Sequence, residues 1–495
     1  MRQEVLIRGI FSGIFGLIIA WIVFSRYDTE VGSESTDDGY QRYQSYIPGY
    51  LLPLFLLILL ISGLFLQGAV KTAQFTLSIC FELFVHISVY YLLLLLLLPV
   101  FRRLISARAC AMLWVMPNYL YLTSQIYMEL PEPAFVLITP GNLVWILFFV
   151  WLAGFLTVLF RKILEHLSFR RRILTDSVPV TDPELLAILE DVITDARIKN
   201  PKFRLVTSPH ITSPLSIGLF RRTIRIILPE QDYSREDQTL ILQHEIIHIA
   251  REDSWSKYFL MFCTAMCWFN PLMWTAMRKS AEDLELSCDE TVLLDADDNT
   301  RRRYALLLLN TAADGRGFTT CLSASARSMR FRLKHITAPV RRRSGAIVVG
   351  LIFFLLCMTS GYAALAYGGR SGAELIYHNE GYQEYALNSV SSVQGNSYDF
   401  NYKITNETAF HAYLSGLTFY DLTGNYSFSS SGTTFVYILD TPDGMLGITL
   451  YDNAMKLTPL YEENPATSCY YIADSTDWEY LNTITVPHPV GGGEF

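Results

Sequence analysis

The run QTLILQHEIIHIARED, residues 238–253, carries His244 and His248 four positions apart, with Glu245 directly after the first. At 3.6 residues per helical turn both imidazoles share a face and can point at one ion. A catalytic zinc takes three protein ligands and keeps a fourth position open for water, so the pair supplies two of the three. Glu245 projects beside that face, where a carboxylate can take a proton from the bound water. A second group follows in WFNPLMWTAMRKSAEDLELSCDETVLL, residues 268–294. Glu285 and Asp289 lie one turn apart there. The glutamate is a candidate third ligand, and the aspartate is spaced to hydrogen-bond a histidine N–H from behind. Glu282, Asp283 and Glu290 compete with Glu285 for the ligand role. The bland alternative is two partly exposed histidines on an amphipathic helix, followed by solvated surface acids. The joint occurrence of both groups favours metal-assisted peptide hydrolysis.

The elements that must position these groups are also readable. Apolar residues dominate 240–249 between charged flanks, which predicts a helix. Asn270-Pro271 is a helix start, because proline fits the first turn. DPELLAILEDVITDARI (182–198) reads as an amphipathic helix opened by Asp182 and Pro183, while FRLVTS and TIRIIL read as short strands. Together they predict an α+β domain in which an edge strand beside the histidine helix can hold an extended peptide.

The stretches SPLSIGLFRRTIRIILPE, LQHEIIHIAREDSW, CWFNPLMW and EDLELSCDETVL, in this order, resemble the BlaR/MecR-type antirepressor family of integral-membrane zinc metallopeptidases. The resemblance covers residues 76–366. It implies a gluzincin-like zincin domain with zinc on His244, His248 and Glu285, Glu245 as general base, and Asp253 and Asp289 as supporting acids. Arg222 stands where the family usually has a proline in the GLF-x-P-T-I stretch. The family's best-known members carry a penicillin-binding sensor, whose acylated serine needs an S-x-x-K motif. Residues 367–495 contain none, which argues against a beta-lactam receptor of that kind.

Composition independently points to a membrane. Apolar residues make up 51% of the 495 residues and charged ones only 17%, and mean hydropathy is +0.26. Runs long enough to span occur at 5–24, 50–67, 79–100, 142–160 and 345–366, with a weaker candidate at 109–124. The predicted organisation is two N-terminal spans with an acidic loop (1–75), further spans (76–160), the metallopeptidase domain (161–344), a last span (345–366) and a C-terminal domain (367–495). Arg161, Lys162 and Arg170–Arg172 follow one span, and Arg341–Arg343 precede another, so 161–344 is expected in the cytoplasm. The acidic loop 125–140 and the chain after 366 are expected outside. Glu82 and His86, one turn apart within a span, are read as a satisfied packing pair in preference to a signal relay.

The segment 367–495 is acidic and rich in Tyr, Ser, Thr and Gly, and its alternating stretches predict a small, mainly β extracellular domain. An unidentified extracellular ligand is its expected partner. The polar loop 311–330, with Arg316, Ser323 and Arg327, is the expected self-cleavage region, and cleavage in trans would suit a homodimer. Of the eight cysteines, Cys80, Cys110 and Cys357 fall in spans, Cys263 and Cys267 are read as packing, Cys288 and Cys321 as reduced cytoplasmic thiols, and Cys469 as the only one outside, without a disulfide partner in its domain. A net charge of −8 without a basic stripe gives no support to nucleic acid binding. Besides membrane lipid, a repressor-like cytoplasmic protein is the expected partner and substrate. The competing class is a non-proteolytic receptor or scaffold with a structural zincin domain.

Overall fold

The computed structural model describes residues 2–31, 41–46, 49–123, 130–199, 201–220, 222–313, 326–337, 342–394, 397–431, 434–460 and 467–487. The chain opens with α1 (Arg2–Val31), followed by α2 (Leu51–Leu66), which turns at Gly68 (φ +79°) into α3 (Gly68–Leu104). Next, α4 (Ala107–Val115), a 3-10 turn and α5 (Leu120–Thr123) form one helical path. This path is the weaker span candidate, and its residues 107–121 are all buried at the centre of the helical bundle. Strand β1 (Phe135–Pro140) then leads into α6 (Leu143–Leu174). Among the described residues three helices are long and apolar enough to cross a membrane: Val5–Val31, Gly68–Leu104 and Leu143–Leu174. At 1.5 Å per residue α6 reaches about 48 Å, beyond a hydrocarbon core of about 30 Å.

The middle domain comprises β2 (Val178–Pro179), α7 (Pro183–Asp195), β3 (Arg204–Ser208), β4 (Leu215–Ile217), β5 (Arg225–Pro229), α8 (Arg235–Ala250), α9 (Asp253–Met266), α10 (Pro271–Val292), α11 (Asp298–Ala313) and α12 (Ala326–Thr337). Its sheet runs β2-β3-β5-β4, with β3 and β5 parallel and β4 an antiparallel edge. The helix starts are local chemistry. The Asp182 carboxylate accepts from Glu184 N at 3.0 Å, Ser234 Oγ from Asp237 N at 3.3 Å and Asn270 Oδ1 from Leu272 N at 2.9 Å. Leu185, Ile188 and Val192 of α7 and Ile241, Leu242 and Ile246 of α8 close on Leu205, Ile226 and Leu228 of the sheet. Each such side chain contributes about 1.5–3 kcal/mol by leaving water. That core fixes α8 against the sheet.

The last part holds α13 (Ala346–Met358), β6 (Ala363–Ser371), α14 (Gly372–Leu375), β7 (Ala386–Gln394), β8 (Ser397–Ile404), α15 (Glu407–Gly416), β9 (Thr418–Leu422), β10 (Thr434–Thr441), β11 (Gly444–Leu450), β12 (Ala454–Pro459), β13 (Ser468–Ile472), α16 (Trp478–Ile484) and β14 (Thr485–Pro487). Ten strands form one sheet in the order β1-β6-β9-β13-β12-β11-β10-β7-β8-β14. Phe410 and Leu414 of α15 and Leu481 of α16 cover Phe435, Tyr437 and Leu439 of β10.

Two expectations change here. The apolar run 345–366 is not one helix, because it breaks after Met358 and Gly361 takes φ +91°. Residues from Ala363 enter the sheet, so that domain starts before 367. The 125–140 segment is more than a loop: β1 pairs in parallel with β6, from Phe135↔Ala363 to Pro140↔Gly368. At 16 and 13 residues, α2 and α13 are apolar but shorter than the other three helices. Since α6 leaves the large sheet and ends at the small one, the two domains sit at opposite ends of the bundle.

Helix α1 runs along α13. A Cβ on Gly16 would fall 2.8 Å from Gly350 O, and one on Gly350 2.6 Å from Gly16 O, so only small residues allow this approach. One end is tied by the Arg8 guanidinium, donating to Cys357 O at 2.8 Å, and the other by Tyr27 OH, donating to Arg342 O at 2.8 Å. Near that second end the buried Glu30 is clasped twice. Arg251 donates to it through Nε (3.1 Å) and Nη2 (2.9 Å), and Arg108 forms a further ion pair with it. Glu82 accepts from Gly361 N at 2.6 Å and not from His86, whose Nε2 is buried without a hydrogen-bond partner among the described residues, so the expected mutually satisfied pair does not form.

Candidate metal centre

Helix α8 sets the two histidines one turn apart with their Nε2 atoms 3.2 Å from each other. Helix α10 brings Glu285 to the same spot. Its Oε2 is 3.5 Å from His244 Nε2, and its Oε1 is 3.6 Å from His248 Nε2. Four donors at about 2.0–2.1 Å around a tetrahedral ion stand about 3.3–3.4 Å from one another. The histidine pair lies near that value and Glu285 meets each histidine with a different oxygen, so the three residues can face a single zinc-sized ion.

A supporting ring orients them. Asp253 begins α9, and the left-handed Glu252 (φ 57°) turns the chain so that its carboxylate lies 2.6 Å from His248 Nδ1. That hydrogen bond directs the Nε2 lone pair toward the ion position. Asp289 departs from expectation. Its Oδ1 is 3.7 Å from His244 Nδ1, too far for a hydrogen bond. Tyr304 of α11 stands between, 2.9 Å from that nitrogen and donating to Asp289 Oδ1 at 2.7 Å. Arg332 of α12 then grips both Asp289 oxygens at 2.6 and 2.7 Å. Lys257 Nζ lies 3.3 Å from Glu285 Oε1. Leu240, Tyr304, Ala305 and Ile336 share a small core that holds α8, α11 and α12 together.

The competing acids turn elsewhere. Glu282 pairs with Lys279 (2.7 Å), Asp283 with Arg102 (2.6 Å) and Trp114 Nε1 (2.9 Å), and Glu290 accepts from Ala107 N (3.0 Å). Glu245 is buried on α8 beside His244. Arg316 and Ser323 lie outside the described residues, and Arg327 sits in the first turn of α12.

Four neighbours escaped the sequence reading: Lys257, Cys288, Tyr304 and Arg332. Two had a signal in their spacing, since Lys257 is one turn after Asp253 and Cys288 one turn after Glu285. Tyr304 and Arg332 had none, because only the packing of α11 and α12 brings them in. The Cys288 Sγ and one ring nitrogen of each histidine all lie within 4.8 Å of one another.

The cluster calls for positive charge. Burial opposes charge on His244, yet the neighbouring Cys288 and Glu285 outweigh it and raise the imidazole to about 10. For His248 burial is again outweighed, by Cys288, Glu285 and Asp253, which hold it well above its ordinary value. Burial would raise Glu285, but Lys257 and His248 keep its carboxyl well below the usual range. A divalent cation answers the same demand as those protons.

Residues 125–336 match the family model described as BlaR1 peptidase M56. A stretch of 191 residues is 30% identical to the regulatory protein BlaR1 of Bacillus licheniformis, covering 38% of this chain and 31% of that protein. The chain thus spans less than a third of that relative. The family match contains both helices that carry the histidines and Glu285, and it leaves α1–α4 and all of the large sheet except β1 outside. Through its segment 125–336, therefore, the chain is similar to the BlaR1 peptidase M56 family.

Proposed function

We propose that the protein is a membrane-embedded zinc endopeptidase of gluzincin type, held in the lipid by its apolar helices and coupled to a sensing C-terminal domain. The observation that carries this is the set of three separations, 3.2, 3.5 and 3.6 Å, among the His244, His248 and Glu285 donors. Zinc at that point would polarise the scissile carbonyl and acidify water. The chain's own groups do the rest. A substrate strand adds to the exposed edge of β4 (Leu215–Ile217), the outer strand of the small sheet. Glu245 takes the water proton on its carboxylate and returns it to the departing amide nitrogen. Asp253 and the Tyr304–Asp289–Arg332 chain hold the two imidazoles in place.

The arginine-rich flanks assign the middle domain to the cytoplasm and the ten-stranded domain to the outside. The substrate on that reading is a repressor-like cytoplasmic protein, with the chain's own segment 311–330 as a second target. The signal is an extracellular ligand of the large sheet. Full-length protein in lipid vesicles, loaded with zinc and incubated with an unstructured polypeptide, tests the activity by mass spectrometry of the products. Wild type should give zinc-dependent fragments of that polypeptide and of 311–330, and Glu245→Gln should give neither. Equal products from both, or zinc bound equally by His244→Ala, would favour a receptor with a structural domain.

A further inference from the structure

Cys288 has no part in the scheme above, yet it lies closer to the ion position than a packing residue needs to. It follows Glu285 by three residues on α10, so both face α8. Its side chain is wholly buried, and Sγ donates to His244 O at 3.2 Å, on the very turn that carries the first histidine ligand. With one nitrogen from each imidazole, Sγ forms a donor group in which every separation is within 4.8 Å. From the same helix the Glu285 oxygens lie 3.5 and 3.6 Å from the Nε2 atoms of the same two histidines. Four donors of three kinds, nitrogen, oxygen and sulfur, therefore gather where the peptidase reading requires three and an opening.

We infer that Cys288 Sγ is a fourth donor that closes the metal centre at rest, and that its departure opens the position water must take. The inference rests on the metal-centre reading. Ligation exchanges the S–H bond for a sulfur–metal bond, and the proton goes to solvent. No oxidant or reductant is involved. The movement needed is small: Sγ swings about Cα–Cβ from the His244 carbonyl onto the ion. A closed four-donor set is the pattern of structural zinc sites and an open set that of catalytic ones, so this thiol converts one into the other. In a chain that joins a large second domain to the site through its helices, such a latch gives the signal something local to move. A shift of α10 against α8 then decides whether sulfur or water completes the tetrahedron.

Zinc K-edge absorption on full-length wild type, loaded with one equivalent of zinc in detergent, reads the donors without any variant. One sulfur at about 2.3 Å beside nitrogen and oxygen at about 2.0–2.2 Å is expected. A shell of nitrogen and oxygen alone overturns the inference and leaves the three-ligand centre standing. Absence of stoichiometric zinc overturns both. Cobalt substitution then compares wild type with Cys288→Ser and Cys288→Ala. Wild type should show a sulfur-to-cobalt charge-transfer band in the near ultraviolet that both variants lose, while all three keep the visible cobalt bands. Superimposable spectra would sink the assignment. Peptide cleavage by Cys288→Ser should exceed that of wild type in the absence of any stimulus.

Discussion

Two clusters of buried charge, one on α8 and one at its C-terminal cap, sit within two turns of each other and are built on opposite principles. At Arg251 the cluster closes on itself. Glu30 is gripped by two nitrogens of Arg251 and by Arg108, while Arg251 also donates to Ser287 Oγ at 3.0 Å, so donors and acceptors are matched within the protein. At His244 and His248 the cluster is a set of donor atoms facing one another, and the nearby cations, Lys257 and Arg332, touch its rim. The first arrangement is complete as folded. The second is completed by something brought from outside. A buried charge that has its partner is structure, and on the proposed reading buried donor atoms that face one another are a binding site.

The largest effect should come from breaking the closed cluster. Glu30→Ala leaves two buried arginines without their acid and should cost about 3–5 kcal/mol, seen as a lower denaturation midpoint in detergent. Glu30→Leu combined with Arg251→Met should recover most of that loss, since apolar replacements of a buried pair are often neutral. Glu285→Gln at the open cluster should instead leave the stripped protein nearly as stable while abolishing stoichiometric zinc. Equal destabilisation by both single changes would erase the contrast.

Metal removal should act in the reverse sense. Chelation should lower the wild-type midpoint by about 2.7 kcal/mol from a state with free zinc at a hundredfold over its dissociation constant. His244→Ala should not respond, and the stability of Glu30→Ala should still fall on chelation. In stripped protein the raised His244 pKa adds stability that is whole below the ordinary histidine value and lost as pH rises through about 10. Unfolding midpoints measured against pH with and without zinc should show that alkaline loss only in the stripped form.

Smaller changes sharpen the picture. Asp253→Asn and Tyr304→Phe each remove one hydrogen bond behind an imidazole and should weaken zinc binding about 10–100-fold in competition titrations. The smallest effect belongs to the half-buried pair at the first turn of α8, where Arg303 Nε of α11 meets Asp237 Oδ1 at 2.7 Å. Arg303 holds the Asp237 carboxyl below its ordinary range, so this pair adds stability above that range and loses it as pH falls through the depressed value. Arg303→Ala should move the acid midpoint upward slightly, and high salt should mask the difference.

The parts of the site that covalent spacing dictates were legible in the chain. His244, Glu245 and His248 share one helix, and a four-residue interval has one geometric meaning there. Asp253 is five residues from His248 and needed only the turn at Glu252. Glu285 could be nominated but not separated from Glu282, Asp283 and Glu290, because that depends on how α10 is rotated against α4 and α8. Tyr304 and Arg332 are set by tertiary packing, and nothing local to their sequences marks them. The run 345–366 illustrates the limit in the membrane, where GYAALA is as apolar as the helix before it. A short apolar run is equally good as a buried strand, and pairing with 135–140 decided the matter.

That pairing has a mechanical consequence. Strand β1 hands the chain to α6, which leads into the domain with the metal centre, and β6 receives it from α13, which comes back out. The two strands lie side by side in fixed register over six residue pairs. They act as a yoke. Neither rod can slide alone without shearing the ladder by two residues, about 6.6 Å, which is the smallest step that keeps each side chain on its own face. Any pull exerted on the far sheet therefore reaches the peptidase through both rods at once, as a tilt or a piston stroke of the pair.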